Sequence, residues 1–339
     1  GTRPDIVVLK YSAGGVLRWA TEPYDSGSNR EDEAVKLAVD GKGDVVVLGE
    51  SNYTGRMGIV VLKYKKKNGK LAWAEPARWD PDPGDPDQGD HDMADLALDG
   101  KGDIYVAGSV KFAGIEGGLI RKVRGSNGAK LLGWVHEPRH GDSSFFETLT
   151  IRGSSVVATG SAWTEGVDHS RNALIVKFDR GLQKKASKEW GVVNKSEEWF
   201  REAVIDSKGS VFVTGEQWLE DKYDGVVTMK LNAKLKTVWS TTYMPARKGT
   251  AGWYIARDGA GNVYVGCGQN VNAPTGGRYL TIKYSAAGAR KWVRTWSPRG
   301  GSTWHPVGLV LGSKDGVYVG GNVRGKGDVH QAVLLKYRR

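Results

Sequence analysis

The sequence of 339 residues lacks the features that would place it in several large protein classes. It has one cysteine, Cys267, so no internal disulfide framework can form. Proline is scarce, with 11 residues against 48 glycines, which is typical of many short strands and tight turns rather than of a disordered chain. No run of 18 apolar residues occurs, so we predict no membrane-spanning segment.

Familiar catalytic and nucleic-acid-binding motifs are also missing. The sequence has no Gly-x-Ser-x-Gly elbow, no His-Glu-x-x-His helix, no Walker loop and no sialidase-type Asp box. Lys and Arg outnumber Asp and Glu by 49 to 38, and the resulting net charge of +11 either attracts polyanions or serves solubility alone. The basic turns lack interleaved aromatic residues that would stack on bases, so we predict no specific nucleic-acid partner.

What the sequence does contain is a unit of about fifty residues that recurs along the chain. One copy reads LAVDGKGDVVVLG at 37–49, IVVLKY at 59–64 and GKLAW at 69–73. A fixed period of this size is typical of a propeller or a solenoid. The lysine of the middle phrase recurs at intervals of 53 to 59 residues, at Lys10, Lys63, Lys122, Lys177, Lys230, Lys283 and Lys336.

Each unit holds four runs rich in Val, Ile, Leu, Tyr or Trp, which predicts four short antiparallel strands, a to d. Turn sequences such as Asp-Gly-Lys-Gly at 40–43 and 99–102 separate strands a and b, and there glycine is free to adopt a positive φ. Strand c is the Val-Leu-Lys-Tyr phrase. Strand d carries one tryptophan that we expect to pack between neighbouring sheets, in the series Trp19, Trp73, Trp134, Trp190, Trp239 and Trp292.

We therefore predict an all-β fold, a six-bladed β-propeller of four-stranded antiparallel blades that forms a single domain over residues 1–339. The N-terminus supplies strands c and d and the C-terminus strands a, b and c, so strands from both termini would close the ring. In this arrangement one strand c is surplus. The alternative to six blades is a propeller of seven blades, one of them incomplete. The repeat units are 35–80, 94–136, 147–193, 202–243, 254–296, and 307–339 together with 1–24.

Two phrases, LALDGKGDIYVAGS at 96–109 and DSKGSVFVTG at 206–215, resemble the bacterial β-propeller repeat family called SBBP and, more distantly, NHL-type propellers. The resemblance extends over essentially the whole chain. It implies the propeller fold and a secreted or cell-surface protein of a bacterium, but it carries little information on function. Residues 151–154 and 312–315 depart from the turn pattern of the family.

The loops that join strands b to c and d to a are long and differ between units, so we expect binding residues there. Their tryptophans break the rule of one per unit, and aromatic rings beside carboxylates suit the faces of sugars. Packing between loops is the alternative explanation. The predicted ligand-binding set, which faces a carbohydrate or protein ligand, is Trp163, Trp199, Trp218, Trp253, Trp304, His305 and Lys36.

Charged residues recur on strand a, which lies nearest the axis of a propeller. The position of Lys36 is occupied by Asp95, Glu147 and Glu202 in other units. Carboxylates held close together raise each other's pKa and attract cations, so these three are the candidate catalytic residues of an enzyme. The alternative is a water-filled channel in which Lys36 balances its neighbours.

The segment at 80–92, DPDPGDPDQGDHD, places several carboxylates close together in sequence. Ca²⁺ prefers six to eight oxygen ligands, so Asp80, Asp82, Asp85 and Asp87 are a candidate calcium site, and no other cofactor is predicted. The spacing does not match an EF-hand, because three prolines interrupt it and the final glutamate is missing. A solvated acidic loop is the alternative.

These patterns favour a non-catalytic binding module that presents aromatic loops to a carbohydrate or protein ligand. One alternative is a hydrolase or lyase with carboxylates at the mouth of the channel. Another is a self-assembling structural or surface protein, since basic turns, acidic loops and the surplus strand c favour contact between copies.

Overall fold

Every regular element in the described part of the chain is a β-strand, as the repeat predicts. The structure, a computed structural model, describes residues 5–27, 31–52, 55–81, 88–136, 143–163, 171–191, 196–219, 222–245, 249–270, 277–298, 302–313, 315–324 and 330–339. These residues include no helix of the length and apolarity that a membrane crossing requires. The chain divides into two compact units, each larger than a single repeat. What we call the first unit comprises 1–158, 162–165 and 177–185, and the second unit comprises 159–161, 166–176 and 186–339.

The strands of the N-terminal half follow one another in simple antiparallel order. A two-stranded hairpin comes first, with β1 at Leu9–Tyr11 and β2 at Leu17–Ala20. The next sheet consists of β3 (Asp32–Val39), β4 (Val45–Ser51), β5 (Gly58–Tyr64) and β6 (Ala77–Trp79). The sheet after it consists of β7 (Gln88–Leu98), β8 (Ile104–Phe112), β9 (Ile115–Val123) and β10 (Lys130–Val135).

The remaining strands repeat this order. The β11–β14 sheet comprises Ser143–Arg152, Ser155–Trp163, Arg171–Asp179 and Lys184–Trp190. The β15–β18 sheet comprises Ser196–Ile205, Val211–Leu219, Lys222–Leu231 and Thr237–Tyr243. The β19–β22 sheet comprises Thr250–Arg257, Val263–Gln269, Arg278–Tyr284 and Arg290–Trp296, and the three-stranded β23–β25 sheet comprises Ser302–Leu311, Gly316–Arg324 and His330–Arg338.

The strands described thus form four-stranded antiparallel sheets, a three-stranded sheet and a hairpin, without a closed sheet among them. A single parallel bridge between Arg171 of β13 and Glu197 of β15 joins the β11–β14 and β15–β18 sheets into one sheet of eight strands. Four-stranded antiparallel sheets agree with the prediction. Six blades, and closure of a ring by strands from both termini, stay predictions.

The turns between strands a and b have the predicted geometry. Oδ1 of Asp40 accepts hydrogen bonds from the backbone N–H groups of Lys42 (2.8 Å) and Asp44 (2.9 Å), which closes the turn through a side chain. Gly43 then adopts a φ of 85°, which glycine reaches at little cost. In the equivalent turns, backbone N–H groups donate hydrogen bonds to the side chains of Asp99, Asp206 and Asp258. The glycines of these turns, Gly102, Gly209 and Gly261, also adopt a positive φ.

The repeated lysine of strand c and tryptophan of strand d share one acceptor in the following sheet. Nζ of Lys63 and Nε1 of Trp73 both donate to the backbone carbonyl of Gly125, at 2.8 and 3.2 Å. Because that carbonyl lies in the c–d turn of the next sheet, each pair fastens its own sheet to the one that follows. The same arrangement occurs for Lys10 and Trp19 on Lys66 and, for the tryptophan alone, for Trp239 on Ala286.

A glycine in the same turn makes room for the tryptophan ring. Gly128 has a φ of 76°, and a Cβ atom there would lie 2.8 Å from the ring of Trp73. A Cβ atom at Gly69 would lie equally close to the ring of Trp19, and a Cβ atom at Gly288 would lie equally close to the ring of Trp239. The prediction that these tryptophans pack between neighbouring sheets is confirmed at Trp19, Trp73 and Trp239. The prediction that Trp73 lies on strand d is wrong, because the fourth strand of its sheet, β6, begins only at Ala77.

Apolar side chains of strands b and c fill the space between neighbouring sheets within each unit. β5 is buried along its whole length, which explains why its sequence is a continuous apolar run rather than an alternating one. In the first unit Leu48 and Val61 pack in one cluster with Val106. In the second unit Val226 packs with Ile255 and other core residues.

Candidate ligand-binding site

Asp95, a predicted catalytic residue, connects three strands of the first unit. Its carboxylate forms an ion pair with Lys36 of β3. It also accepts hydrogen bonds from Oγ1 of Thr148 and the backbone N–H of Leu149 in β11, both at 2.8 Å. With these donors around a buried carboxylate, Asp95 has a structural role. Its catalytic role stays a prediction, as does the ligand-binding role of Lys36.

Glu202 has a comparable role in the second unit. Its carboxylate accepts a hydrogen bond from the backbone N–H of Ile255 in the neighbouring sheet, at 2.5 Å. Asp95 and Glu202 each lie directly after a β-bulge in strand a, between Met93 and Asp95 and between Phe200 and Glu202. Because a bulge changes the direction of the strand locally, it turns these side chains towards the next sheet. Glu147, the third candidate, is half-buried on β11.

The predicted tryptophans differ in their surroundings. The guanidinium of Arg171 lies 4.6 Å from the ring centroid of Trp199, and that of Arg201 lies 4.6 Å from the centroid of Trp253. Cation–π contacts of this kind hold the rings in place. Trp218 is 38% exposed, whereas Trp163, Trp199 and Trp253 are partly buried. The side chains of Trp304 and His305 lie outside the described residues.

Two of these tryptophans line a cavity of about 240 Å³ in the second unit. Its lining residues are Glu197 and Trp199 of β15, Glu216 and Trp218 of β16, and Asp224 of β17. Glu197 lies opposite Trp218, and Trp199 lies opposite Glu216, in the antiparallel register of β15 and β16. Because residues two apart on a strand point to the same face, the pleat brings these four side chains together.

The carboxyl groups of this cavity have unequal electrostatic surroundings. Glu216 forms an ion pair with Arg201. Burial and then the nearby charge of Glu216 raise the pKa of Asp224 above its ordinary value. Asp224 therefore keeps its proton to a higher pH than an ordinary aspartate. The cavity combines carboxylate acceptors, a carboxyl group with a raised pKa and an exposed indole ring.

A second carboxyl cluster lies in the first unit. Burial raises the pKa of Glu50, and the charges of Asp92 and Glu33 raise it further, against one hydrogen bond of 2.7 Å from the backbone N–H of Met93. Burial and the charge of Glu116 also raise the pKa of Asp92. Glu50 and Glu216 were not among the residues predicted from the sequence, although each directly follows a glycine of strand b, Gly49 and Gly215. That shared Gly-Glu pair was the available signal.

A larger cavity of about 500 Å³ lies on the β7–β10 sheet. Phe112, Ile115 and Val135 give it an apolar wall, and Lys111 and Arg121 supply positive charge. His91 and His136 also line it, and burial lowers the pKa of His91 below the ordinary histidine value. This combination suits a ligand with an apolar body and an anionic group.

The predicted calcium segment is described only in part. Oδ1 of Asp80 accepts a hydrogen bond from Nη2 of Arg78 at 3.1 Å, while Asp82, Asp85 and Asp87 lie outside the described residues. Calcium binding by this segment stays a prediction.

No protein-family profile and no curated protein sequence matches the chain. Its structure is similar to that of polysaccharide lyase Uly1, at 10% sequence identity over 98% of this chain and 85% of that one, with a TM-score of 0.58. A protein of unknown function from Dyadobacter fermentans is similar at 12% identity over 91% and 95% of the two chains, with a TM-score of 0.54. Drosophila Plexin A, solved in complex with Semaphorin 1b, is similar at 9% identity over 98% and 81%, with a TM-score of 0.51.

Identities this low bear on the fold alone. They support a β-propeller-like fold, in agreement with the fold that the repeat predicts. Membership of the SBBP or NHL repeat families stays a resemblance, because no family profile matches.

Proposed function

We propose that this protein binds neutral carbohydrate in the cavity formed by β15, β16 and β17. One observation carries the proposal: the exposed ring of Trp218 shares a cavity with Glu197, Glu216 and Asp224. An indole ring stacks on the apolar C–H face of a sugar, and carboxyl oxygens accept hydrogen bonds from its hydroxyl groups.

The charge of the cavity narrows the class of sugar. Three carboxyl groups line it, and the adjacent cations are engaged, since Arg201 pairs with Glu216 and Arg171 lies over the ring of Trp199. An anionic uronate or sulfated sugar would be repelled there, because like charges in a partly buried site interact strongly. The volume of about 240 Å³ is below the ~300–1,000 Å³ of sites for drug-sized ligands, so one sugar ring of a longer chain fits.

A screen of neutral and acidic glycans followed by calorimetric titration tests this proposal. We expect a neutral glycan to bind, and Trp218→Ala to weaken that binding at least about tenfold, since the loss of a stacked ring costs about 1.4 kcal/mol or more. Phe112→Ala is the matched control, because Phe112 is an exposed aromatic residue, at 57%, in the first unit. Binding restricted to acidic glycans, or equal loss in both variants, would count against the proposal.

A second candidate function is cleavage of the bound glycan, and the unequal carboxyl groups favour it. Asp224 holds its proton readily and is suited to protonate a glycosidic oxygen, while a neighbouring carboxylate such as Glu197 is suited to activate water. The fold similarity to polysaccharide lyase Uly1 is compatible with this function.

The test is the release of reducing ends from neutral polysaccharides as a function of pH. We expect activity to fall as pH rises through the pKa of Asp224, because the proton donor is then lost. Asp224→Asn is expected to lower the rate by roughly 10²-fold or more while binding remains. Full activity of this variant, or products with a new double bond, would contradict hydrolysis by Asp224.

The other proposals concern architecture, partners and assembly. The repeat count supports six blades closed by both termini, with seven blades as the alternative, and a crystal structure of the full chain would count them. A protein ligand, secretion and self-association also stay proposals. Light scattering over a series of salt concentrations tests self-association, since an electrostatic contact between copies weakens with added salt.

A further inference from the structure

Three aspartates that take no part in the proposed carbohydrate site come together at the start of the first unit. Asp5 and Asp25 flank an antiparallel bridge, in which Ile6 N–H donates to the Tyr24 carbonyl (3.2 Å) and Tyr24 N–H donates to the Ile6 carbonyl (2.9 Å). Asp32 is the first residue of β3. Each aspartate offers a carboxylate oxygen, and these oxygens all lie within 4.8 Å of one another.

The surroundings of Asp32 indicate that its carboxylate needs a further partner between the three aspartates. Asp32 is 1% exposed, and its Oδ2 accepts a hydrogen bond from the backbone N–H of Ser26 at 2.7 Å. Its Oδ1 is buried without a hydrogen-bond partner among the residues that the structure describes. A carboxylate oxygen that is buried without a hydrogen-bond partner costs free energy of folding, because it has lost its hydration and gained nothing in return.

No lysine, arginine or histidine in the described ranges forms an ion pair with any of the three carboxylates. Three like charges within a few ångströms repel one another. The bridge between Ile6 and Tyr24 and the start of β3 nevertheless hold the three carboxylates close together. A bound cation would remove this repulsion and would also give Oδ1 of Asp32 a partner.

We propose that Asp5, Asp25 and Asp32 bind a divalent cation, and that the cation is Ca²⁺. All three offer hard oxygen ligands, and no histidine or cysteine belongs to the group, which disfavours Zn²⁺. Ca²⁺ accepts carboxylate oxygens in a flexible geometry, whereas Mg²⁺ demands near-ideal octahedral geometry and keeps several of its waters, so a group of three protein carboxylates favours Ca²⁺. Asp25 is exposed, so water can complete the six to eight ligands.

The cation would connect the segment before the N-terminal hairpin to the first full sheet. Ile6, directly after Asp5, packs with Val47, Val60 and Leu62 of that sheet. Ca²⁺ would therefore hold the N-terminal segment against the sheet, and its effect would appear as added thermal stability of the whole chain.

The test is thermal unfolding and calorimetric titration of the full chain after removal of metal with a chelator. At a Ca²⁺ concentration about 100-fold above the dissociation constant, we expect the Tm to rise by roughly 4 °C, with a smaller effect of Mg²⁺. Asp32→Asn keeps an acceptor for the Ser26 N–H but loses the charge, and we expect a dissociation constant at least about tenfold higher. Asp80→Asn, in the sequence-predicted calcium segment, is the matched control and should respond like the wild type.

Three results would overturn the proposal. The first is a wild-type chain whose Tm and titration do not respond to Ca²⁺. The second is a Ca²⁺ response that Asp80→Asn abolishes and Asp32→Asn leaves intact, which would place the ion in the 80–87 segment. If Asp32→Asn fails to fold, the exposed Asp25→Asn is measured instead, and a full Ca²⁺ response in that variant is the third.

Discussion

The substitution Lys63→Met removes a buried ion pair within one sheet together with a hydrogen bond to the following sheet. The Lys63 side chain is 7% exposed, and its ammonium lies 2.8 Å from Oδ2 of Asp40, whose side chain is 4% exposed. The ammonium also donates to the Gly125 carbonyl of the following sheet at 2.8 Å. Methionine has a similar length but cannot donate to either acceptor. The variant therefore leaves the Asp40 carboxylate buried without its cation.

The expected loss follows from this burial. Removing one partner of a buried ion pair costs about 3–5 kcal/mol of the free energy of unfolding. Lys10 occupies the same repeat position, and its exposed hydrogen bond of 2.9 Å to the Lys66 carbonyl is worth about 0.5–1.5 kcal/mol. At roughly 2 °C per kcal/mol for a chain of this length, Lys63→Met should lower the Tm by about 6–10 °C and Lys10→Met by about 1–3 °C.

Differential scanning calorimetry or urea unfolding of the two variants is the assay. The double variant Lys63→Met with Asp40→Asn should recover part of the loss, because it removes the buried charge along with its partner. Equal losses in Lys63→Met and Lys10→Met, or no recovery in the double variant, would refute the reasoning.

The pH dependence supplies an independent measurement of the same contact. Burial raises the pKa of Asp40, but hydrogen bonds from Lys63 and from the backbone of Asp44 and Lys42 outweigh burial and hold the pKa below its ordinary value. A carboxyl group with a lowered pKa stabilises the folded state above its unfolded pKa and loses that effect as pH falls through the folded pKa. The difference between wild type and Lys63→Met should therefore shrink below about pH 4, and a difference that grows there would contradict the assignment.

Two further predictions concern a turn and a thiol. Gly128→Ala places a Cβ atom against the ring of Trp73 at a φ of 76°, whereas Gly102→Ala meets no side chain and only the strain of a φ of 84°. We therefore expect Gly128→Ala to lower the free energy of unfolding by about 1–3 kcal/mol more than Gly102→Ala does. Equal urea midpoints would disprove that contact. Cys267 is buried, and burial raises the pKa of its thiol, so a thiol reagent should label it only in denaturant, and rapid labelling of the folded chain would contradict its placement.

Much of the local structure was predictable from the sequence. The strands, the a–b turns with glycine at positive φ and the packing role of the repeated tryptophans follow from local patterns that recur in most of the repeats. These features depend on residues close in sequence or on one ring of fixed size, so a repeat is enough to reveal them.

Apart from the pairing of Lys36 with its neighbour Asp95, which the aligned repeats offered as one alternative, the partners of charged side chains were not predictable. The acceptor for Lys63 is a carbonyl 62 residues away, and the donors to Asp95 lie 53 and 54 residues away. Which groups meet at that separation depends on the register and bulges of neighbouring sheets, and the repeat does not specify them. For the same reason the grouping of Trp218 with Glu216 and Asp224 became visible only in three dimensions.

A crystal structure of the protein with a neutral oligosaccharide tests the central claim most directly. We expect one sugar ring stacked on Trp218, with hydroxyl groups within hydrogen-bond distance of Glu197, Glu216 or Asp224. A glycan bound instead in the cavity beside Phe112, or a Trp218 cavity that stays empty of sugar at saturating concentration, would contradict it.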